Sequence, residues 1–413
     1  MTLPKITRRW VFPSLDGPSS LKLESIELVP PGPNQIVVKM VAWSLNYRDI
    51  ALSQGLNPVP LPLPYVPLSD GAGVVAAVGE RVKNLRPGDK VFSVFKPAWR
   101  SGRQRREFGV SNLAGSDVPG ILSEYIVLGE EYWTLMPRNL TFVEASTLTV
   151  AGVTAWNALY GLSDHQLRPG QSILTEGTGG VSIFSLQFAK AGGAKVIATT
   201  SSTRKAEVLS ALGADHIINY KEVTEWADAV KSATPGNKGV DLVVEVVGGN
   251  TMTQAMKTVK SDGLVTIVGF IAGLAEQQPS IVDMFFNIAT FRSIHCGSLE
   301  HYSQMVAAIE QHDIKPHVDR VFWFEDVPAA YNYMIEQNYV GKIYSEIQRL
   351  EGQLTRKNPP DMITGVESSM EGEIPVVKSK PWTDTRAGGS DSCTPGVRTE
   401  IAFTMISQTC HLK

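Results

Sequence analysis

Cysteine is scarce in this chain: of 413 residues only Cys296, Cys393 and Cys410 are cysteine, two of them near the C-terminus. Neither a disulfide framework nor a cysteine-rich zinc module can be assembled from them, and a reducing compartment is expected. Histidine is missing from the whole first third, beginning only at His165. Excess positive charge is missing too, since 38 Lys and Arg face 41 Asp and Glu for a formal charge of −3. No overall positive field would draw the chain to nucleic acid or to an anionic membrane, so the expected partner is a small-molecule substrate. Long apolar runs are also lacking. The longest, Leu264 to Ala275, has 12 residues, against the roughly 20 that a bilayer requires. The stretch Met1 to Trp10 carries Lys5, Arg8 and Arg9 but runs into Pro13, Asp16 and Pro18 without the apolar core of a signal peptide, and a soluble cytoplasmic protein is expected.

What is present is organised in three parts. Residues 1–130 show short alternating segments such as Gln35–Val41 and Gly73–Gly79, punctuated by Pro30-Pro31-Gly32-Pro33 and Pro87-Gly88-Asp89, the grammar of an all-β region. Near Phe142 the period changes. A helical stretch to Tyr160 precedes apolar strands predicted at Ser172–Thr175, Val196–Thr200, His216–Asn219, Leu242–Val247 and Leu264–Val268, with helical patterns between them. Such alternation predicts an α/β fold with a parallel sheet covered by helices on both faces. Past residue 295 a helix (about Leu299–His312), a strand (Arg320–Phe324), a helix opened by Asp326 and Pro328, and a strand near Lys342–Ile347 read as a return to the first region. The domain reading is therefore 1–130 with 291–349 as one domain and 131–290 as the other. In 351–413, 25 of 63 residues are Gly, Pro, Ser or Thr without apolar period, so a disordered tail is expected over 350–413.

The clearest chemical signal follows the first predicted parallel strand, in Glu176-Gly177-Thr178-Gly179-Gly180-Val181-Ser182. Gly177 permits a tight turn, Gly179 lets backbone approach a pyrophosphate, and the following helix offers free N–H groups and the positive end of its dipole. Ser182 stands where a third glycine is usual, and Val181, Phe184 and Phe188 are expected to face the sheet. Strand, loop, helix and second strand in that order predict dinucleotide binding by Gly177, Thr178, Gly179, Gly180 and Val181. At the end of the second strand, Thr199-Thr200, the acid that would grip the ribose diol of NAD is absent. Ser201, Ser202 and Lys205 follow instead, hydroxyls and a cation suited to a 2′-phosphate, with Tyr220 as a second wall; NADPH is expected over NADH. The alternative for Ser202 or Thr203 is a helix N-cap with a solvated basic first turn.

With these residues in hand, the chain resembles the medium-chain dehydrogenase/reductase superfamily, and within it the zinc-free, quinone-oxidoreductase-like branch. The resemblance rests on Leu45-Asn46-Tyr47-Arg48-Asp49, Gly71-Ala72-Gly73-Val74-Val75, Pro87-Gly88-Asp89-Lys90-Val91, Ala151-Gly152-Val153-Thr154-Ala155-Trp156, the glycine loop, Leu212-Gly213-Ala214-Asp215 and Gly341-Lys342-Ile343. It implies a GroES-like β domain interrupted by a Rossmann domain, an active site in the cleft between them, and a homodimer or homotetramer. It further implies that Thr154, Val247, Gly269 and Lys342 line the cofactor. Zinc-dependent members carry Cys where this chain has Asn46 and a His-Glu pair where it has Ser69-Asp70, and further cysteines around residues 97–115. Zinc needs thiolate, imidazole or carboxylate donors and the chain offers neither Cys nor His before His165, so both family zinc sites are expected to be absent; the arginines of Pro97–Arg106 are expected to form a solvated loop, with contact to a phosphate-bearing substrate as the alternative.

Without a Lewis acid, substrates that accept hydride with less help are favoured: alkenes conjugated to a carbonyl, and quinones. The resemblance implies hydride transfer to the β-carbon, with Asn46, Tyr47 and Arg48 as candidates for polarising the substrate; packing, turn and ion-pair roles are the alternatives for each. Related quinone oxidoreductases carry a cleft Tyr where this chain has Asn57, and Tyr65 is not at that position, so no proton donor is assigned. His165, His216, His312 and His317 fall at predicted loops or element ends, and His411 in the tail. Pocket walls are expected from loops such as Leu56–Pro67 and Phe270–Phe286. An alcohol or aldehyde dehydrogenase and a non-catalytic NADPH-binding protein remain as alternative readings.

Overall fold

The computed structural model describes residues 3–56, 59–105, 112–249, 251–269, 271 and 279–347. The expected tail, with Cys393, Cys410 and His411, and Asn57 lie outside the described residues. The first strands are β1 (Ile6–Val11) and β2 (Lys22–Glu27), an antiparallel pair. They are followed by β3 (Gln35–Ser44), helix α1 (Tyr47–Ser53), β4 (Asp70–Val78), β5 (Lys90–Ser93), β6 (Tyr125–Gly129) and β7 (Trp133–Leu135). Next come helices α2 (Phe142–Ser146) and α3 (Val153–Tyr160), separated by a π-helical turn at Leu148–Gly152. The single helix expected from Phe142 to Tyr160 is thus interrupted, and π turns of this kind occur mostly at functional sites.

The middle of the chain alternates as β8 (Ser172–Thr175), α4 (Gly180–Ala191), β9 (Lys195–Thr200), α5 (Thr203–Ala211), β10 (His216–Asn219), α6 (Trp226–Ser232), β11 (Val240–Glu245), α7 (Thr251–Thr258), β12 (Val259–Ile267), α8 (Ile281–Asn287) and β13 (Thr290–Ser293). The chain then runs through α9 (Leu299–Gln311), β14 (Val318–Trp323), α10 (Val327–Ile335) and β15 (Lys342–Glu346). Two main sheets result. One is six-stranded and parallel in the order β10-β9-β8-β11-β12-β13; the other is a mixed seven-stranded sheet in the order β14-β15-β3-β4-β5-β7, with β6 also on β3. This is the expected pairing of a Rossmann sheet with a GroES-like sheet. The parallel order reverses between β8 and β11, the switch point outside which open α/β sheets bind ligands.

Two strand predictions needed correction. β11 ends at Glu245 rather than Val247, because the Glu245 carboxylate accepts from Val247 N and Gly248 N (both 2.8 Å) and turns the chain. β13 was not predicted at all, and it carries the parallel sheet past residue 290. Its central Arg292 breaks the apolar run, yet the guanidinium is folded away, donating to Asn157 O (3.0 Å) and Asn157 Oδ1 (2.7 Å). Among the described residues no helix is long and apolar enough to cross a membrane.

The start of α9 anchors the loop after β5. Ser298 caps the helix, accepting from His301 N at 3.2 Å, while His301 Nδ1 accepts from Ser298 N at 3.1 Å. Leu299 N and Glu300 N donate to the carbonyls of Trp99 and Arg100, and the His301 and Trp99 rings meet edge to face. Burial, helped by the Arg292 charge, lowers the His301 pKa from 6.5 to about 4, so the unfolded chain binds the proton more readily. Stability should be complete above pH 6.5 and decline as pH falls toward 4, by at most about 3 kcal/mol from this residue. Urea titrations across that range should show the loss in the wild type and a flatter profile in His301→Gln; identical profiles would contradict it.

Candidate functional site

The turn from β8 into α4 is built for close backbone approach. Gly177 has φ +69°, a conformation that favours glycine, and a Cβ on Gly179 would project into open space. A Cβ on Gly180 would instead stand 2.7 Å from Lys342 Cδ, so helix and Lys342 pack tightly here. Ser182, in the place of the third glycine, donates its hydroxyl to Glu176 O at 2.6 Å and closes the turn from below. Phe184 and Phe188 are buried, whereas Val181 is only half-buried and lies on the cleft wall instead of facing the sheet. No side chain caps α4 at Gly179, which leaves its first N–H groups free for an anion.

A cleft of about 500 Å³, mostly apolar, opens beside this turn. That size and character are typical of small-molecule sites. Of the residues predicted from sequence, Asn46, Tyr47, Arg48, Thr154, Gly179, Gly180, Val181, Gly269 and Lys342 all line it. Thr154 is buried with its Oγ1 lacking any hydrogen-bond partner. Open space over Gly179, the uncapped helix and this orphaned hydroxyl together fit a dinucleotide.

Ser201, Ser202, Lys205, Tyr220 and Val247 lie outside the cleft, at the C-terminal ends of β9, β10 and β11. Ser202 caps α5, accepting from Lys205 N at 3.4 Å, and Gly177 N donates to Thr199 Oγ1 at 3.1 Å. Tyr220 is 41% exposed. The Lys205 ammonium donates to Gln337 O at 2.9 Å, and partial burial lowers its pKa. The cation thus spans from α5 to the segment after α10.

At the other end, Asn46 opens α1, its N–H donating to Asp49 Oδ2 at 2.7 Å. Lys342, 3% exposed, donates its ammonium to Leu45 O at 2.5 Å and Asn46 Oδ1 at 2.6 Å, and lies 3.7 Å from Asp70 Oδ2. Asp70 also accepts from Ser69 Oγ at 2.8 Å and Val150 N at 3.2 Å. Burial raises the Asp70 pKa, with Lys342 opposing, and burial lowers that of Lys342, with Asp70 opposing. Because an ammonium can only donate, Asn46 must turn its oxygen to Lys342. Its Nδ2 is buried near the Asp70 carboxylate but without a partner in hydrogen-bond geometry. No group of three or more His, Cys, Asp or Glu able to hold a metal gathers among the described residues.

Tyr47 is 40% exposed beside Asn46. Arg48 donates Nη2 to Ala114 O at 2.9 Å and pairs loosely with Asp49 at 3.8 Å. Tyr65 is buried in the core, its hydroxyl donating to Ala114 O at 3.0 Å, and plays no part in the cleft. Leu56 and Ile271 contribute to the wall from the two loops expected to do so. Sequence reasoning missed Ile294, His295, Cys296, Met334 and Tyr339. His295 and Cys296 come just after the edge strand β13, at the end of the sheet where the glycine loop also emerges, and the sequence hides that position because β13 itself was not predicted.

Comparisons with known proteins agree with this architecture. The Alcohol dehydrogenase GroES-like domain family matches residues 32–138 and the Zinc-binding dehydrogenase family matches residues 180–311. A zinc-type alcohol dehydrogenase-like protein of Schizosaccharomyces pombe is 40% identical over 341 residues, covering 82% of this chain and 98% of its own. A chloroplastic NADPH-dependent alkenal/one oxidoreductase of Arabidopsis thaliana is 31% identical over 351 residues, covering 83% and 80% respectively. A crystal structure of a Sinorhizobium meliloti protein described as an alcohol dehydrogenase superposes with TM-score 0.77 at 36% identity, covering 84% of this chain and all of the other.

The Lys342–Asp70 pair yields a stability test. Lys342→Met should leave the Asp70 carboxyl buried without its cation and cost about 3–5 kcal/mol in chemical denaturation. Adding Asp70→Asn to that variant should recover part of the loss. Additive losses would show that the two side chains are not coupled.

Proposed function

Since the chain belongs to the medium-chain dehydrogenase/reductase superfamily and is an oxidoreductase of that family, we propose that it reduces an alkene conjugated to a carbonyl, or a quinone, with NADPH and without zinc. The observation that carries this reading is an apolar cleft reached by the glycine loop on one side and bordered by Asn46, Tyr47 and Arg48 on the other. NADPH, when bound, supplies the hydride that adds to the β-carbon. Gly177, Thr178, Gly179, Gly180 and Val181 hold the pyrophosphate through backbone N–H groups and the α4 dipole. Thr154, Val247, Gly269 and Lys342 border the rest of the cofactor. Asn46, Tyr47 and Arg48 form the polar edge that polarises the substrate as negative charge gathers on its oxygen. Asn46 and Asp70 are engaged by Lys342, and Ser69 donates to Asp70, an arrangement that supports chemistry without a metal at this place.

The Arabidopsis relative's name supports both the alkene substrate and the cofactor. Ser201, Ser202 and Lys205 provide the setting for a 2′-phosphate, with Tyr220 as the adjoining wall. Homo-oligomer formation is assigned to α8 and the edge strand β13, where Ile281, Phe285 and Phe286 are exposed at 83%, 76% and 74%, a concentration of apolar surface that calls for a cover.

Turnover of enones with C4-deuterated NADPH should place deuterium at the β-carbon; deuterium on the carbonyl carbon would mean alcohol formation instead. Asn46→Ala and Tyr47→Phe should each lower turnover by roughly 10–1000-fold with folding intact, the effect of removing one positioned donor.

The cofactor preference is tested by titration calorimetry. Lys205→Ala should weaken NADPH by roughly 10- to 150-fold and NADH far less. Thr200→Asp should reverse the preference, placing a carboxylate that repels the phosphate and accepts from the ribose diol. Equal losses for both cofactors in Lys205→Ala would limit that residue to its bond with Gln337.

A further inference from the structure

Among the described residues two lysines are almost fully buried, Lys342 and Lys96, each 3% exposed. Lys342 has Asp70, Asn46 and Leu45 as partners. Lys96 has neither a hydrogen bond nor an ion pair among the described residues; its ammonium lies 5.9 Å from the centre of the Phe95 ring. A buried charge is costly unless it is paired. The groups that act on Lys96 are the Cys296 thiol and a second cation, Arg48, and burial lowers its pKa. Burial raises that of Cys296, so the thiol stays neutral and is no counterion.

Lys96 does not form the cleft surface itself, but its charge is felt at three residues that do, Arg48, His295 and Cys296. Arg48 lies over the same Phe95 ring, 5.0 Å from its centre, with Nη1 buried and without a hydrogen bond. Its single acid, Asp49, is 3.8 Å away, and burial raises the Asp49 pKa to about 6, so the pair is loose. His295 is held neutral by desolvation and by Lys96. Its backbone N–H donates to Gln104 Oε1 at 3.1 Å, drawing the loop that carries the exposed Arg100 and Arg103 toward this wall. One end of an otherwise apolar cleft is thus cationic, with no acid among the described residues to balance Lys96.

We propose that the missing anion belongs to the substrate: the cleft takes an activated alkene that carries a carboxylate, bound by the Arg48 guanidinium on the cleft wall and drawn there by the charge of Lys96. The inference rests on the reading of the cleft as an enone or quinone site and adds the charge of its substrate. Lys96 acts as a specificity residue through the field at Arg48, with no part in hydride transfer.

The test compares trans-4-oxo-2-pentenoate with its methyl ester, which differ in charge at the same reacting alkene. Wild-type kcat/KM with NADPH should favour the acid by at least about tenfold, and Lys96→Met should bring the ratio near one. A wild-type preference for the ester, or a ratio unchanged in Lys96→Met, would overturn the inference. Calorimetry of the NADPH-loaded protein with the saturated 4-oxopentanoate and its methyl ester separates binding from reaction. Tighter binding of the acid, lost in Lys96→Met, supports the inference even where neither alkene is reduced, an outcome that counts against the enone reading alone. Without ligand, Lys96→Met should melt at a higher temperature because an unpaired buried charge is gone; a lower melting temperature would show that the chain itself satisfies Lys96 and would overturn the inference.

Discussion

The Lys342 ammonium is where the two sheets, the glycine loop and the polar edge of the cleft are made dependent on one another. Gly341 N donates to Thr178 O at 2.8 Å, so the residue before Lys342 is stitched to the phosphate loop. The stem of Lys342 then packs so close to Gly180 that a Cβ there would stand 2.7 Å from it, and its head reaches Leu45 and Asn46 after β3 and Asp70 at the start of β4, in the mixed sheet. Burying two opposite charges is not in itself a source of net stability, because desolvation offsets most of the Coulomb attraction. What the pair supplies is direction. A donor-only cation and an acceptor-only carboxylate leave the Asn46 amide one orientation, and a glycine loop tied to the same lysine cannot move without disturbing it.

Most of the fold was legible because its signals are local. Strands β8 and β10 match the predicted residues throughout, and the other parallel strands that were predicted were off by one to five residues at their ends, because short apolar runs bounded by turn residues admit few alternatives. The failures occur where a polar group is rescued by something distant in sequence. β13 is invisible as a strand because Arg292 interrupts it, and the guanidinium is tolerated only because Asn157 in α3 lies across from it. The π turn at Leu148–Gly152 was equally hidden. It brings Val150 N within 3.2 Å of Asp70, a long-range bond that periodicity cannot report.

The candidate site divides in the same way. The glycine loop and Asn46 were readable because residue type and order carry their chemistry. Lys342 was reached only through resemblance to the family, and its tie to Asn46 and Asp70 is a product of folding that no spacing of these residues encodes. Cys296 and His295 had no signal, since the strand before them was itself not predicted, and Lys96 reads in sequence as one more charge in a basic loop. Its meaning depends on what is absent around it, and absence of a counterion is visible only in three dimensions.

The loop that must attract a pyrophosphate also stands over two buried carboxyl groups, an arrangement that at first sight opposes its purpose. Glu176 and Glu245 follow adjacent paired strands, β8 and β11, and both are buried. Glu245 accepts from Val247 N, Gly248 N and Thr251 Oγ1. Glu176 has no such set. Burial and the neighbouring Glu245 charge push its carboxyl well above the usual range. The Glu245 carboxyl is engaged by the backbone N–H groups at the end of β11. The N–H groups at the start of α4 are left uncompensated, directed at the cleft, and available to an anion that the chain does not itself provide.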